Sequence, residues 1–168
     1  LALLQRRLSR KQKGSRNRIK ARLKVARLHA KIADCRMDNL HKLSRKLINE
    51  NHVVCVESLK VKNMIRHPKL SKAIADAGWS ELVRQLQYKG KWAGRSVVAI
   101  DQYFPSSRRC SCCGFTMQKM PLNVRKWHCP ECGADHDRDI NAARNIKAAG
   151  LVVLAHGEPV NPEPQHAA

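Results

Sequence analysis

Residues 110–145 read CSCCGFTMQKMPLNVRKWHCPECGADHDRDINAARN, two Cys-x-x-Cys pairs followed by a short acidic segment that opens a helix. The pairs are Cys110 with Cys113 and Cys129 with Cys132, and fifteen residues separate them. Each pair precedes a glycine, which relieves the turn where backbone N–H groups approach the sulfur atoms. Four thiolates at this spacing suit a tetrahedral Zn²⁺ ion at a closed structural site. The sequence therefore predicts a zinc ribbon whose metal holds the fold and leaves no position for a substrate.

The other cysteine and histidines of this stretch are predicted to lie outside the metal site. Cys112 stands between two ligands and is expected to be a free thiol, because it and Cys113 cannot easily bind one ion together. His128 and His136 could each replace a cysteine as a ligand. Since four well-spaced thiolates are present, we expect both histidines to be surface or nucleic-acid-facing residues.

Trp127 has two interpretations that the sequence does not separate. It follows Arg125 and Lys126 between the two cysteine pairs, so the three side chains could project from the ribbon and contact nucleic acid. Alternatively, Trp127 simply covers the zinc core.

The charge of the chain indicates a polyanionic partner. The formal net charge is +20, from 33 Lys and Arg residues against 13 Asp and Glu residues, and residues 1–50 hold 16 of the basic and 3 of the acidic ones. Nucleic acid is the partner this predicts, and a solvated basic helix face is the alternative. A membrane surface is disfavoured, since no face of Trp and Phe accompanies the charge. The residues expected at nucleic acid are Arg6, Arg10, Arg18, Arg22, Arg125 and Lys126.

The first 50 residues are predicted to form a basic helical hairpin. Residues 1–12 have helical periodicity, Gly14 breaks it, and Ser15 or Asn17 can cap a long helix over about 18–49. The predicted apolar stripe of the long helix has a spacing of three to four residues. It consists of Ile19, Leu23, Ala26, Ala30, Ala33, Met37, Leu40 and Leu47.

Two buried strands are predicted further along, over 52–57 and 96–101, with a helix over about 69–92 between them. Strand, helix, strand is typical of a parallel crossover unit. A last helix is predicted from Asp139 to about Ala149, stopped by Gly150, and residues 151–168 are predicted to be a disordered tail.

The cysteine usage and the start of the chain give two further expectations. Four of the seven cysteines stand at metal-ligand spacing, so we expect a reducing cytoplasm. Cys35 and Cys55 fall on apolar faces and are predicted to be small core residues. Because the chain begins at Leu1 inside an already basic, helical pattern, we expect it to continue a longer protein.

Two carboxylates stand at positions typical of a catalytic site. Glu57 ends an otherwise apolar strand, and ligands gather at that end of parallel sheets. Asp139 begins the last helix. Taken alone, Glu57 could be a surface charge and Asp139 an N-cap. In a basic, zinc-containing chain the pair also suits two-metal phosphodiester cleavage, in which several carboxylates hold Mg²⁺ ions about 4 Å apart.

Three segments, in their order and spacing, resemble the C-terminal half of the OrfB/TnpB family of insertion-sequence transposase (accessory) proteins. They are VVCVESLKVKNM (53–64), AIDQYFPSSRRCSCCG (99–114) and CPECGADHDRDINAARNI (129–146). The basic opening over 4–44 also matches that family, which is related to type V CRISPR effectors. The resemblance implies an α/β fold, a partial RNase H-like (RuvC-like) domain with an inserted zinc ribbon. The implied divisions are a basic hairpin over 1–50, an incomplete RuvC-like core over 51–104 and 136–150, and a ribbon over 105–135.

The resemblance also implies site residues. Carried over, the second and third catalytic carboxylates fall on Glu57 and Asp139, which would hold Mg²⁺, and Asp137 is the residue most easily mistaken for Asp139. The zinc ligands fall on the four paired cysteines. The first catalytic aspartate of the family lies on a strand upstream of the basic helices, which these residues do not include. Asp101 ends a strand in a similar place, but the family pattern does not use it as a primary ligand.

Two functions follow as expectations. The first is a fragment of a transposon-encoded, RNA-guided DNA endonuclease that binds DNA and guide RNA in the prokaryotic cytoplasm, at the nucleoid, and is inactive by itself. The second is a zinc-ribbon module that binds nucleic acid without catalysis. A zinc-ribbon adaptor between proteins is a third alternative, against which the charge surplus argues.

Overall fold

This computed structural model describes residues 1–121 and 123–156 of the chain. The described residues contain six helices and four short strands, which loops connect. The helices are α1 (Ala2–Ser9), α2 (Arg16–Glu50), α3 (Val61–Ile65), α4 (Ser71–Ala77), α5 (Trp79–Trp92) and α6 (Arg138–Ala155). The strands are β1 (Val53–Glu57), β2 (Ser96–Ile100), β3 (Lys126–His128) and β4 (Asp135–Asp137). Among the described helices, none is both long enough and apolar enough to cross a membrane.

Helices α1 and α2 form a hairpin around a capped turn. Ser15 is the N-cap of α2, and its hydroxyl accepts a hydrogen bond from the backbone N–H of Arg18 at 3.2 Å. The Arg18 guanidinium donates to the carbonyl oxygens of Leu8 at 3.3 Å and Lys11 at 2.8 Å. Arg18 therefore holds the end of α1 against the start of α2, a structural task that the sequence did not indicate.

The predicted apolar stripe of α2 is wrong from Ile19 to Met37. Ile19, Leu23 and Met37 are exposed, whereas Val25 in the first half of the helix and Ile48 in the second half are buried. The second half reaches α5 and β1, while the first half packs against α1, so tertiary contacts rather than periodicity select the buried face. Cys35, predicted to lie in the core, is also exposed.

Strands β1 and β2 pair in parallel, which confirms the predicted crossover. Val54 is opposite Val97 and Glu57 is opposite Ile100. The segment between the strands differs from the prediction, since α3 forms before residue 69 and two helices, α4 and α5, take the place of the predicted single helix. Helices α4 and α5 meet at Gly78, whose φ of 62° suits glycine and whose Cβ would lie 2.9 Å from a methyl group of Leu40.

The two faces of this sheet pack against different helices. On one face, Val56 and Val97 form the core with Ile48 of α2 and Leu86 of α5. Residues alternate between faces along a strand, so Cys55 and Glu57 belong to the opposite face, which α6 covers.

Helix α6 continues through Gly150, so the predicted stop at this residue is wrong. A Cβ atom at Gly150 would lie 2.4 Å from the Cys55 sulfur atom, and the glycine therefore permits close packing of α6 on β1. Residues 151–155 extend α6 rather than belonging to the predicted tail. The rest of that predicted tail, 157–168, lies outside the described residues.

A buried polar network joins α2 to α5. The Ser44 hydroxyl donates to Gln85 Oε1 at 2.9 Å and accepts from Lys89 Nζ at 2.7 Å. Lys89 also donates to the carbonyl oxygen of His41 at 2.9 Å. Burial, with the nearby charge of Arg45 as a smaller cause, lowers the pKa of Lys89. The Lys89 ammonium group is therefore part of the helix interface.

Candidate metal centre and acidic site

The four paired cysteines come together in the geometry of one zinc site. Cys110 Sγ lies 3.7 Å from Cys132 Sγ, and Cys113 Sγ lies 3.7 Å from Cys129 Sγ. All four sulfur atoms lie within 4.8 Å of one another, and none is in a disulfide. A tetrahedron with zinc–sulfur bonds of about 2.3 Å has edges of about 3.8 Å. The predicted Cys₄ ligand set therefore fits zinc without rearrangement.

Both cysteine pairs are held by the same local turn. Cys110 N–H donates to the carbonyl oxygen of Phe115, and Cys129 N–H donates in the same way to Ala134. The glycine after each pair has a positive φ, 81° at Gly114 and 71° at Gly133, which glycine adopts without strain. The two knuckles are thus equivalent, as the repeated Cys-x-x-Cys-Gly pattern predicts.

The thiols of this cluster cannot all be charged without a cation. Burial alone would raise the pKa of Cys110, but the backbone N–H groups of the following residues and the ring of His136 lower it to about 5. At Cys132 the Ala134 N–H favours the thiolate, yet hydrogen bonds to the neighbouring sulfur atoms raise the pKa to about 12. A divalent ion supplies the charge that four thiolates require.

Trp127 covers the zinc core, the second of the two interpretations that its sequence position allowed. Only 8% of the residue is exposed, and it forms a cluster with Cys110 and Cys129. The other side chains packed on this cluster are Phe115, Met117, Met120 and Val124. Trp127 therefore shields the cysteine cluster from water.

His136 is buried, so its prediction as a surface residue is wrong. It is 4% exposed, packs against Trp127 with ring centroids 4.7 Å apart and planes tilted by 39°, and places Nε2 3.1 Å from Cys110 Sγ. Trp127 and His136 lie opposite each other in the antiparallel pair of β3 and β4. This pairing is the signal from which the inward position of His136 could have been inferred. His128 is exposed, as predicted, and pairs with Asp135 at 3.0 Å. Cys112 is exposed, and its Sγ lies within 4.8 Å of Cys110 Sγ and of a ring nitrogen of His136.

Glu57 lies at the carboxyl end of β1 beside an open cleft. The Ser106 hydroxyl donates a hydrogen bond of 2.5 Å to Glu57 Oε1. Glu57 and Asp101 both line the cleft, whose volume is about 590 Å³. Asp101 accepts a hydrogen bond from the backbone N–H of Tyr103 at 2.6 Å.

Two buried asparagines, which sequence reasoning missed, fix the loop after β2 to α6. Asn141 donates to the carbonyl oxygen of Arg109 at 2.7 Å and accepts from the N–H of Ser111 at 2.9 Å. Asn145 donates to the carbonyl oxygens of Ser106 at 2.8 Å and Arg109 at 2.6 Å. Their i, i+4 spacing in INAARN, on one face of a helix, was the available signal. Through Ser106, Asn145 connects α6 to Glu57.

Asp137 and Asp139 have different tasks at the start of α6. Asp137 is the N-cap, because its Oδ1 accepts hydrogen bonds from the backbone N–H groups of Asp139 at 3.0 Å and Ile140 at 3.1 Å. The alternative prediction, that Asp139 is the N-cap, is therefore wrong. The hydrogen bond from the Ile140 N–H is the largest cause of the lowered pKa of Asp137. The Asp139 side chain is 68% exposed and forms ion pairs with Arg125 at 3.0 Å and Arg138 at 3.4 Å.

Comparison with known proteins places this arrangement in a family. Residues 1–67 match the family model described as "Probable transposase" (OrfB_IS605), and residues 79–146 match the model described as "Cas12f1-like, TNB domain". The second match contains the four zinc-site cysteines. The chain belongs to the OrfB/TnpB family.

Relatives of this OrfB/TnpB chain carry names that agree with the family models. Two are named "Putative RNA-guided DNA endonuclease". The one from Streptomyces pristinaespiralis is 56% identical over 97% of this chain and 40% of its own length. The other, InsQ from Escherichia coli, is 41% identical over 95% of this chain and 43% of its own length. A third is the CRISPR-associated endodeoxyribonuclease Cas12f1 of Sulfoacidibacillus thermotolerans, 27% identical over 80% of this chain and 32% of its own length. The chain spans about two fifths of the length of the first two.

The carboxylates predicted from the resemblance to the OrfB/TnpB family lie on elements that pack together. Glu57 is on the face covered by α6, and Asp139 is in the first turn of that helix. Glu57 shares its cleft with Asp101, whereas Asp139 is not among the residues that line it. The described residues therefore provide one carboxylate held by Ser106 and, in the first turn of α6, another that is exposed beside two arginines.

The predicted nucleic-acid-binding residues of this OrfB/TnpB chain fall into two groups. Arg6, Arg10, Arg22 and Lys126 are exposed, and no ion pair joins any of them to a described acidic residue. Arg18 and Arg125 are engaged instead, Arg18 with backbone carbonyl groups and Arg125 with Asp139.

Proposed function

We propose that this chain is the C-terminal part of a transposon-encoded, RNA-guided DNA endonuclease. In this proposal it binds DNA and guide RNA, and Glu57 and Asp139 are two of three carboxylates that hold Mg²⁺ for phosphodiester cleavage. The observation that carries the proposal is the Ser106 link. Ser106 joins Glu57 through its hydroxyl and Asn145 of α6 through its carbonyl oxygen, so the strand end and the helix of Asp139 are fixed to each other.

The chemistry of the two side chains fits this role. Mg²⁺ prefers carboxylate oxygen ligands and usually keeps several water molecules. The Asp139 carboxylate does not cap its helix, because Asp137 does, and so remains available to an ion. Its partner Arg125 is itself exposed and could move to a phosphate group. When bound, Mg²⁺ would polarise the scissile phosphate and activate a water molecule.

The sheet explains where a third carboxylate would enter. In the described residues β1 pairs only with β2, so one edge of β1 has unpaired backbone groups. We infer that a strand from the rest of the protein pairs there and brings the aspartate that the family resemblance implies. The domain would then be RNase H-like (RuvC-like), with the ribbon over 105–135 inserted before α6. The zinc has a structural role in this proposal, since Asn141 ties the first knuckle to α6.

The proposed setting is the prokaryotic cytoplasm, at the nucleoid, where a protein with a net charge of +20 meets nucleic acid. A second candidate, nucleic-acid binding without catalysis, is favoured by the same charge. Nucleic-acid binding without catalysis is the function that these residues would have in isolation, because the nuclease proposal assigns only two of the three metal-binding carboxylates to them.

The experiment that tests the nuclease proposal uses the full-length protein with its own guide RNA and a DNA target in Mg²⁺. Glu57→Gln and Asp139→Asn are each expected to reduce cleavage at least 100-fold, on the order of the loss seen when one essential electrostatic group is removed. Asp137→Asn is the matched control. It keeps the acceptor that caps α6, so cleavage should persist.

Nucleic-acid binding by the same variants separates the two candidate functions. Retained binding with lost cleavage supports the assigned carboxylates. Unchanged cleavage in both Glu57→Gln and Asp139→Asn would refute the assignment, and loss of cleavage in Asp137→Asn alone would move the role to that residue.

A further inference from the structure

We propose that the groove between α2 and α5 binds an unpaired stretch of nucleic acid, with a base stacked on Trp92 and phosphate groups at Arg45 and Lys46. We call this the α2–α5 groove. It is lined by Lys42, Arg45, Lys46, Tyr88, Lys89 and Trp92, among others, and its volume is about 580 Å³. The proposal rests on the nucleic-acid-binding part of the proposed function and adds a site that it does not contain.

The aromatic side of the groove is built as a platform. Trp92, in the last turn of α5, is 79% exposed. Its ring packs edge-on against Tyr88, with centroids 4.7 Å apart and planes at 65°. Tyr88 is half-buried, and the cationic groups of Arg84 and Lys89 lie 5.5 Å and 5.9 Å from its ring centre. Tyr88 therefore braces an indole ring that remains largely open to a ligand.

The opposite side of the groove supplies positive charge from α2. Lys42 is neutralised by Asp38 at 2.7 Å, and Lys89 is directed into the helix interface by Ser44. Arg45 and Lys46 are exposed, and neither is in an ion pair with a residue in the described part of the chain. These two cations are therefore the ones available to phosphate groups.

The combination favours a single strand over a duplex. Bases of a duplex are stacked inside it, whereas the bases of a single strand can each stack on an exposed aromatic ring. The cations follow the backbone of the same strand. An acidic peptide would satisfy Arg45 and Lys46 but gains nothing specific from an exposed indole ring, so nucleic acid fits the groove better.

The test measures affinity of the chain for the single strands dT₁₅ and U₁₅ and for a 15-base-pair duplex, in EDTA so that no cleavage occurs. Trp92→Ala should weaken single-strand binding by roughly 5- to 150-fold, the loss of about 1–3 kcal/mol of stacking per base. Duplex binding should change little. Trp92→Phe keeps a stacking ring and should restore most of the affinity. Tyr103→Ala is the matched control, since Tyr103 is also 79% exposed but does not line the groove.

Tryptophan fluorescence gives a readout that a folding defect would not reproduce. Binding of dT₁₅ should quench the tryptophan emission. In Trp92→Phe the quenching should fall even though affinity is kept, because the other two tryptophans lie away from the groove: Trp127 is buried and Trp79 is half-buried in another cleft. The double variant Arg45→Ala and Lys46→Ala should reduce the slope of log affinity against log salt concentration for single-strand binding by about 1.4, or 0.7 for each lost phosphate contact.

The outcomes separate this proposal from the nuclease proposal. Equal single-strand affinity in the wild type and Trp92→Ala would overturn the groove while leaving Glu57 and Asp139 untested by that result. Tight binding of an acidic peptide, lost in Trp92→Ala, with no binding of either oligonucleotide, would also overturn it. A preference for U₁₅ or dT₁₅ would assign the groove to RNA or DNA, and either preference supports it.

Discussion

At the scale of single residues, position relative to a helix start gives identical side chains different tasks. Asp137 and Asp139 are two residues apart, yet only Asp137 can reach the free N–H groups of the first turn of α6. Asp139 lies one step inside the helix and faces Arg125 and Arg138 instead. Because Asp137 caps the helix, the described partners of the Asp139 carboxylate are arginine side chains, and Asp139 is the carboxylate that we propose as a metal ligand.

The zinc cluster gives a prediction about protons. Because the pKa of Cys110 is about 5 and that of Cys132 is about 12, Cys110 is already a thiolate at neutral pH, whereas Cys132 is protonated. Zinc binding at pH 7 should therefore release fewer than four protons. Calorimetric titration in buffers of different ionisation enthalpy measures this number.

The sign of the pH dependence follows from the same thiols. Zinc affinity should rise with pH because Cys132 must lose its proton to bind, and the rise should be steeper by about one log unit per pH unit below pH 5, where Cys110 is protonated as well. Cys129→Ser serves as a control, since it should lose tight zinc binding at every pH. Release of four protons at pH 7 would contradict the assigned state of Cys110.

At the scale of elements, α6 is the piece that connects the zinc ribbon to the sheet. Its first turns hold the loop between β2 and the ribbon through Asn141 and Asn145, and its later turns lie on β1 at Gly150. A change in how α6 packs would consequently reach both the strand that carries Glu57 and the ribbon.

Gly150→Ala tests that packing by the sign of its effect. In an exposed helix the substitution would stabilise by about 1 kcal/mol through helix propensity. Here the added Cβ would lie 2.4 Å from Cys55 Sγ, so we expect the free energy of unfolding to fall by about 1–3 kcal/mol from overpacking. Urea denaturation followed by circular dichroism measures the change.

Cys55→Ala provides the matched rescue. Removing the sulfur atom from the Gly150→Ala background should recover part of the lost stability. Full recovery is not expected, because Cys55 Cβ would still lie 2.9 Å from the new methyl group. A Gly150→Ala protein more stable than the wild type would show that α6 does not approach β1 this closely.

At the scale of the whole molecule, positive charge is concentrated on the hairpin of α1 and α2, whereas Glu57 and Asp139 belong to β1 and α6. The net charge of +20 attracts polyanions to the protein. Not every arginine contributes equally, because Arg18 already donates to two backbone carbonyl groups.

The hairpin is expected to act through phosphate contacts. The triple variant Arg6→Ala, Arg10→Ala and Arg22→Ala should reduce the slope of log affinity against log salt for duplex DNA by about 2.7, or 0.9 for each lost contact. Arg18→Ala should leave the slope nearly unchanged and lower thermal stability instead. Binding titrations at several salt concentrations measure the slope, and an unchanged slope in the triple variant would exclude these residues from the interface.

Features that depend on local spacing could be predicted from the amino-acid sequence alone. The Cys-x-x-Cys-Gly repeat specified both knuckles and their four ligands, and the change from helical to β-branched patterns specified two parallel strands and placed Glu57 at the end of one. These predictions are correct because thiolate spacing and side-chain periodicity depend only on residues that are close together in the sequence. The resemblance to the OrfB/TnpB family suggested the metal-binding role that we propose for Asp139, which spacing alone left open.

Tertiary structure decided the rest, because the deciding contacts join residues far apart in the chain. Packing against α1 and α5 selected the buried face of α2, and the approach of β1 explained why a glycine lies inside α6. The pairing of β3 with β4 turned His136 toward Cys110, and α6 placed Asn145 where it fixes the Ser106 that holds Glu57. Periodicity shows which residues can be buried, but only a neighbouring element determines which of them are.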